Sequence, residues 1–309
     1  MQKLLIIDTF NFFYRAYHAL PVSLTSPEGT PVNAVYGVSS MLINIFDLIK
    51  PNFVVAALES IEPTKRKEQF EDYKAQRKPM DEELKVQIPI LFEVIEAFGI
   101  CTLNMPGFEG DDIIGSLVKK YSSEMEVIIA SNDRDLWQLI KNGVMVMSPK
   151  NNGNSADWIG TKEVVAHFGF EPTVMVDYKA LTGDVSDNIP GVFGIGKVIA
   201  TKLLLKYRSL DGIYAHLDEI GSTFGVGVAK KLAEGRENAY LSYDLAKINT
   251  DLDLDYSSVV CAFDGLNKQA VKDVFEKYAF YSLVRRLSNG TPNSLDGLPK
   301  SDVAQLGLF

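Results

Sequence analysis

An α/β fold with a mostly parallel central sheet flanked by helices is predicted by three features of the sequence. Short apolar runs recur, and three of them lead into acidic residues. Stretches of helical spacing separate those runs. Beyond about residue 171 the strand-like runs stop, and helical segments alternate with glycine-rich turns, which predicts a second, helical subdomain.

The elements follow in order. Residues 3–7 (KLLII) form a continuous apolar run of strand length that ends at Asp8. Residues 12–18 have helical spacing, and Ser26, Pro27, Gly29 and Pro31 mark a turn-rich stretch. Residues 33–49 return to helical spacing until Pro51 breaks the pattern. Residues 53–58 (FVVAAL) are a second strand ending at Glu59, residues 126–130 (EVIIA) a third followed by SNDRD, and residues 143–147 (GVMVM) a fourth. Residues 288–302 (SNGTPNSLDGLPKSD) are dense in turn formers and read as a linker to the terminal QLGLF. The expected organisation is an α/β unit over 1–170, a helical unit over 171–288, and a linker with a tail over 289–309. No internal repeat is evident.

Composition narrows the classes. A chain of 309 residues, 46% hydrophobic and 23% charged, with a mean hydropathy of +0.02, is neither disordered throughout nor short of core-forming residues. No uncharged apolar run approaches the ~18–20 residues that span a bilayer. The opening MQKLLIIDTF meets Asp8 too early for a secretory apolar region. Cys101 and Cys261 make no disulfide framework, so a cytoplasmic protein without a membrane partner is expected. Lys and Arg number 31 against 40 Asp and Glu, a net charge of −9 that argues against binding nucleic acid by bulk charge. Nine of the acids fall in a few short motifs; without them the chain balances at 31 against 31, and such a body with basic patches can still bind a polyanion.

Those motifs carry the chemistry. Asp8, Glu59 and the Asp133–Arg134–Asp135 group each follow a strand-like run, and ligands of open parallel sheets bind outside the carboxyl ends of the strands. Glu109, Asp111 and Asp112 stand at the start of the helical run IIGSLVKKY, while Asp184 and Asp187 lie between a helix-like segment and a glycine-rich turn. Taken singly these residues have plainer readings: Asp111 and Asp112 as helix caps, the DRD group as a solvated turn. Taken together they point to a metal site. Repulsion and desolvation prevent so many carboxylates from converging uncompensated, and all-oxygen donors suit Mg²⁺ or Mn²⁺. His18, His167 and His216 have no zinc spacing. Two such ions about 3.5–4 Å apart suit in-line displacement at a phosphodiester.

The segments IIDTFNFFYRAYHAL, VNAVYG, EQFEDYKAQRKPM, GFEGDDIIGSL, NDRDLWQL and LTGDVSDNIPGVFGIG, spread over roughly residues 4–200, resemble the 5′-nuclease (flap endonuclease-like) family. Within it the resemblance is to the 5′→3′ exonuclease domain of bacterial DNA polymerase I, and a weaker helical likeness continues to about residue 287. The resemblance implies a PIN-like nuclease core with a helical arch over about residues 60–95, and a helical subdomain with a helix-hairpin-helix element. It also implies metal-dependent hydrolysis of DNA at 5′ flaps, nicks or recessed 5′ ends in replication and repair. No polymerase segment occurs in these 309 residues, so a stand-alone, monomeric nuclease is expected.

The site residues follow from the same resemblance. Asp8, Glu59, Glu109, Asp111 and Asp112 fall at positions associated with one metal, and Asp133, Asp135, Asp184 and Asp187 at those of a second. Arg66, Lys74 and Arg77 match basic positions of the arch that would contact the scissile phosphate or the flap. Read without the family, that stretch is a solvated helix face of mixed charge. Tyr14, with Arg15 beside it, matches a position where a terminal base stacks, although a helix aromatic filling the core would explain it as well. Gly191, Gly194, Gly196 and Lys197 match the hairpin that holds duplex DNA, often with K⁺; read alone, they make a plain helical turn. Gln305, Leu306, Leu308 and Phe309 resemble the pentapeptide that docks into the bacterial sliding clamp, against the plainer reading of a tail folded on its own domain.

Two departures stand out. Glu59 replaces the usual aspartate, and GIGKVI replaces GIGEKT, which displaces the hairpin lysine to Lys197. They leave open a catalytically weakened DNA-structure-binding protein of the same fold, and a related RNase is a third reading.

Overall fold

A computed structural model describes residues 1–150, 155–254 and 262–289. Its centre is a six-stranded sheet of order β3-β2-β1-β4-β5-β6, with β1 at Lys3–Asp8, β2 at Phe53–Ala57, β3 at Cys101–Leu103, β4 at Glu126–Ala130, β5 at Val144–Pro149 and β6 at Ala156–Ile159. All neighbours pair in parallel except β5 and β6. The four strands expected from the apolar runs are present, and the mostly parallel sheet is as predicted. The two edge strands β3 and β6 escaped the sequence reading. One is three residues long and the other four, and neither has an apolar run or a sustained alternation to announce it.

Both faces of the sheet are covered, which explains why its inner strands read as continuous apolar runs. Leu4, Ile6, Val55, Val127 and Ile129 face one core, together with α6 (Gly110–Tyr121) and helices of the C-terminal half. Leu5, Ile7, Val54, Ala56 and Ile128 face the other, built from α1 (Thr9–Ala19), α2 (Asn33–Ile49) and α5 (Ile88–Ala97). Each fully buried Leu, Ile or Val contributes about 1.5–3 kcal/mol, so a register slip of one residue, which would exchange the two faces, is strongly disfavoured.

The segment between β2 and α5 contains only α3 (Lys65–Gln69) and α4 (Glu82–Lys85), joined by turns. Its far foot is pinned by Gln87, which is fully buried. The Gln87 Oε1 accepts from the Ala34 and Val35 amides at 2.9 and 3.4 Å, and its Nε2 donates to Asn33 Oδ1 at 2.9 Å. A glutamine from a distant loop thereby caps the start of α2, whose own flanking Val32 has no side-chain acceptor.

The C-terminal half runs through α7 (Thr161–Phe168), α8 (Met175–Thr182), α9 (Lys197–Tyr207), α10 (Leu210–Ala215), α11 (Leu217–Thr223), α12 (Val226–Glu234) and α13 (Arg236–Ala246). The last two helices, α14 (Lys268–Lys277) and α15 (Tyr281–Asn289), leave that group and return to the first layer. Lys277 pairs with Glu93 of α5 at 2.7 Å, and Arg286 donates to Ser40 of α2 at 2.8 Å.

Gln87→Leu leaves two buried amides at the start of α2 without acceptors, at about 1–3 kcal/mol each. Urea denaturation of this variant is expected to show a loss of about 2–4 kcal/mol relative to wild type.

Candidate active site

The register of the sheet brings the strand-end acids together. Asp8 lies opposite Ala57 of β2, and Ile7 opposite Ala130 of β4, so Asp8, Glu59 and Asp133 emerge from adjacent carboxyl ends. The order also reverses there, since β1 leads outward to β2 on one side while β4 lies on the other, and such a switch point opens a crevice. Asp8 caps α1, accepting from the Asn11 amide at 3.3 Å. Its other oxygen accepts from Ser131 Oγ at 2.6 Å, and that hydroxyl in turn accepts from the Asp133 amide at 2.9 Å.

The electrostatics record the crowding. Burial, then the nearby Asp133 and Glu59, push the Asp8 carboxyl up to about 7 against the pull of the Ser131 hydrogen bond. Asp111 is held well above the carboxylate range by burial and by Asp133, Asp8 and Glu59 in turn. Asp8 of β1 and Asp111 of α6 thus each feel the negative charges of Glu59 and Asp133, which follow β2 and β4. Burial also lifts Asp135 to about 6, although Lys179 beside it pulls the other way.

Around this nest the remaining acids are paired. Lys74 Nζ lies 2.7 Å from Glu109 and 3.9 Å from Asp187, and Arg77 bonds Asp187 at 2.6 Å. Lys179 on α8 bridges Asp135 and Asp184, the latter at 2.7 Å. Together with Ser186, Lys179 outweighs burial and holds Asp184 at about 2. The buried Tyr73 hydroxyl donates to Glu109 at 3.1 Å and lies 3.5 Å from Asp187. Burial and those two carboxylates raise it far above its ordinary value, which keeps it a donor.

The 72–77 turn is sewn to the 184–188 loop by Lys74 N to Asp187 O at 2.9 Å and Asn188 Nδ2 to Asp72 O at 2.8 Å. Lys74 and Asn188 both have positive φ, at 54° and 56°, a conformation non-glycine residues adopt at some strain. Gly183 and Gly191 let the two ends of that loop meet: a Cβ on Gly191 would lie 2.3 Å from the Gly183 nitrogen.

Several expected residues take up other tasks. Asp112, the third residue of α6, closes a capping box with Glu109, so the cap reading applies to Asp112 and not to the crowded Asp111. Its carboxylate accepts twice from Arg66, once from the Asn249 amide and once from the Glu109 amide, which fills its four acceptor positions. Arg66 is only 12% exposed, and all five of its donors are engaged, by Asp112, Glu109 and the Leu245 and Lys247 carbonyls. It locks α6 to the last turn of α13 and the residue after it and is nearly buried, unlike Arg77, which is 54% exposed. Tyr14 is 39% exposed, not core, and senses the charges of Arg77 and Asp81. Arg15 bonds Asn132.

Gly191 is buried, its amide donating to Ser242 Oγ at 2.9 Å, whereas Gly194, Gly196 and Lys197 are exposed at the start of α9. Gln305, Leu306, Leu308 and Phe309 lie outside the described residues. Sequence reasoning passed over Ser131, Tyr73 and Lys179. Ser131 opens the SNDRD motif, and Tyr73 and Lys179 precede Lys74 and Asp184 closely, but nothing in those neighbours shows that the side chains turn toward the acids.

Among the described residues, no three His, Cys, Asp or Glu side chains already stand around one point as a metal ion would require. The donor chemistry nevertheless fits divalent ions: oxygen-only groups, mutually repelling, with Asp8 and Asp111 in no ion pair among the described residues and both pushed toward protonation. Asp8, Glu59, Asp111 and Asp133 are the residues able to hold such an ion. Glu109, Asp135, Asp184 and Asp187 border them.

Fold and site define an α/β protein of the resolvase-like type with an acidic centre at the sheet's switch point. The sequence matches the family described as 5′-3′ exonuclease, N-terminal resolvase-like domain, over residues 3–169, and 5′-3′ exonuclease, C-terminal SAM fold, over residues 170–269. The chain belongs to the 5′-3′ exonuclease family. It is 39% identical over 259 residues to a 5′-3′ exonuclease of Aquifex aeolicus, covering 83% of this chain and 85% of that one. It is 38% identical over 289 residues to DNA polymerase I of Caldicellulosiruptor bescii, covering 93% of this chain but 33% of the relative, so it spans about a third of that polymerase's length. The structure superposes on a bacteriophage T5 flap endonuclease complexed with DNA and metal ions at a TM-score of 0.66 and 18% identity, over 90% of this chain and 100% of that one.

A carboxyl raised by folding takes up protons that the unfolded chain has released, so its unfavourable contribution grows as pH rises from its ordinary value to its folded one. For Asp8 that window runs from 3.8 to about 7. Chelator-treated protein is expected to lose melting temperature between about pH 5 and about pH 7. Mg²⁺ should restore part of the loss, and Asp8→Asn should flatten the slope.

Proposed function

We propose that this chain is a divalent-metal-dependent phosphodiester hydrolase acting on DNA at 5′ flaps, nicks and recessed 5′ ends. The observation that carries the reading is the nest of Asp8, Glu59, Asp111 and Asp133 at the carboxyl ends of adjacent strands, bordered by cations on a neighbouring turn. Asp8, Glu59 and Asp111 would hold one ion together with Asp133, which the resemblance assigns to the second but whose charge bears on both Asp8 and Asp111, and Asp135, Asp184 and Asp187 would contribute to a second, Mg²⁺ or Mn²⁺. Such ions, when bound, stabilise the negative charge that builds on an attacked phosphodiester and favour ionisation of the attacking water.

The chain's own residues supply the rest. Ser131 orients Asp8 and the Asp133 backbone at once. Lys74, now on Glu109, and the more exposed Arg77, now on Asp187, are cations within reach of a phosphate entering the nest, where they would offset its developing charge. Tyr14 offers an exposed ring on the same side as Arg77 for a terminal base to stack upon. Gly194, Gly196 and Lys197 would meet duplex backbone at the start of α9, with K⁺ as a bridging ion. No described helix is long and apolar enough to cross a membrane.

A weakened, DNA-binding relative is the second reading, favoured by one contact: Glu59 accepts from the Gly110 amide at 3.3 Å, which draws its carboxylate toward the start of α6. A fluorescent 5′-flap assay separates the two, because a binder holds the flap tightly yet leaves it uncut in Mg²⁺ and in Mn²⁺.

For the nuclease, Asp111→Asn or Asp133→Asn is expected to lower cleavage by about 10³-fold or more while flap affinity by fluorescence anisotropy changes little. Unimpaired cleavage in either variant would remove these residues from the mechanism. The terminal Gln305, Leu306, Leu308 and Phe309 are proposed to dock on a sliding clamp, on the strength of their sequence pattern. Pull-down by purified clamp should be lost in the Leu308→Ala, Phe309→Ala double variant, and equal retention of the two proteins would count against it.

A further inference from the structure

The cations around the acidic nest differ in one respect. Arg66, Lys74, Arg77 and Lys179 are each tied to carboxylates. Arg134 is not, although it stands between two of the acids: Asp133 on one side repels Asp8 and Asp111, and Asp135 on the other pairs with Lys179. Both neighbours turn inward, and Arg134 is exposed and makes no ion pair among the described residues. Nor does it hang loose in water. Its guanidinium carbon lies 5.6 Å from the centre of the Trp137 ring, within range of a cation–π contact.

The stack is itself supported. The Arg134 carbonyl accepts from the Trp137 amide at 3.1 Å, closing a tight turn, and the indole is buttressed edge-on by His167 at 5.7 Å and Phe168 at 6.0 Å. An arginine held by an aromatic face keeps its N–H edges free for an anion and gives up little further side-chain freedom on binding one. Its place at the rim leaves room for the next phosphate along a strand whose reacting phosphate sits in the nest.

We propose that Arg134 is a substrate-binding residue, held ready by Trp137 to contact a backbone phosphate of the nucleic-acid strand beside the one being cut. The proposal rests on the nuclease reading above and adds a residue to it. Its signature is electrostatic, because one phosphate contact adds about 0.9 to the slope of log affinity against log salt.

The test compares full-length wild type with Arg134→Ala, Arg134→Gln and Arg134→Lys, each in Ca²⁺ on a fluorescent 5′-flap DNA across a salt titration. Arg134→Ala and Arg134→Gln are expected to bind more weakly and to lose about one unit of slope, so that their deficit shrinks about threefold between about 50 mM and about 200 mM salt. Arg134→Lys should keep the slope while binding less tightly. Cleavage in Mg²⁺ should show the defect in KM, with kcat at saturating flap nearly unchanged. If Arg134→Ala keeps both wild-type affinity and wild-type slope while wild type binds and cuts, Arg134 only supports Trp137 and the proposal is overturned with the nuclease reading intact. Wild type that neither binds nor cuts the flap would overturn both.

Discussion

Mutual repulsion among carboxylates at the ends of parallel strands is the constraint on which the rest of this structure depends. A parallel sheet delivers the carboxyl ends of β1, β2 and β4 to one edge, and the sequence places an acid at or just beyond each. The conflict is resolved in two ways. Glu109, Asp112, Asp135, Asp184 and Asp187 are answered by Arg66, Lys74, Arg77 and Lys179. Asp8 and Asp111 form no ion pair among the described residues and are driven toward protonation. A fold that tolerates such a nest gives up stability at the place where chemistry is expected, a common trade at active sites.

The basic segment after β2 shows how closely the two solutions are linked. Its turns are shaped by the acids it meets: Tyr73 and Lys74 reach Glu109, Arg77 reaches Asp187, and the Lys74 backbone adopts a left-handed conformation to make both contacts. Arg66 differs from its neighbours in sequence. Its five donors join α3, α6 and the end of α13 into one body, so it acts as a structural bolt while Lys74 and Arg77 pair with Glu109 and Asp187. The like-looking cations of one short segment are thus separated by their partners: every Arg66 donor is filled, whereas Lys74 and Arg77 each hydrogen-bond one acid and Arg77 stays 54% exposed.

Much of this was legible from the chain. The apolar runs of β1, β2, β4 and β5 and the helical spacing of α2 follow from periodicity, because strands covered on both faces must be apolar throughout. The edge strands were not legible, because β3 and β6 are too short to carry a period. The path of α14 and α15 back to α2 and α5 was equally hidden, since an amphipathic helix shows that it packs but not on which partner.

The sequence by itself determined which residue types are present and that acids follow strands, and hence that a negatively charged centre forms at one end of a parallel sheet. Only the tertiary structure decided how the acids divide. Asp112 became a cap with every acceptor filled, Asp111 one residue earlier was turned into the nest, and Lys179, unremarked in the sequence, became the bridge between Asp135 and Asp184. The reason is physical. A carboxylate's state is set by the donors and charges within a few ångströms of it, and for Asp8, Glu109 and Asp135 several of those come from segments more than forty residues away along the chain.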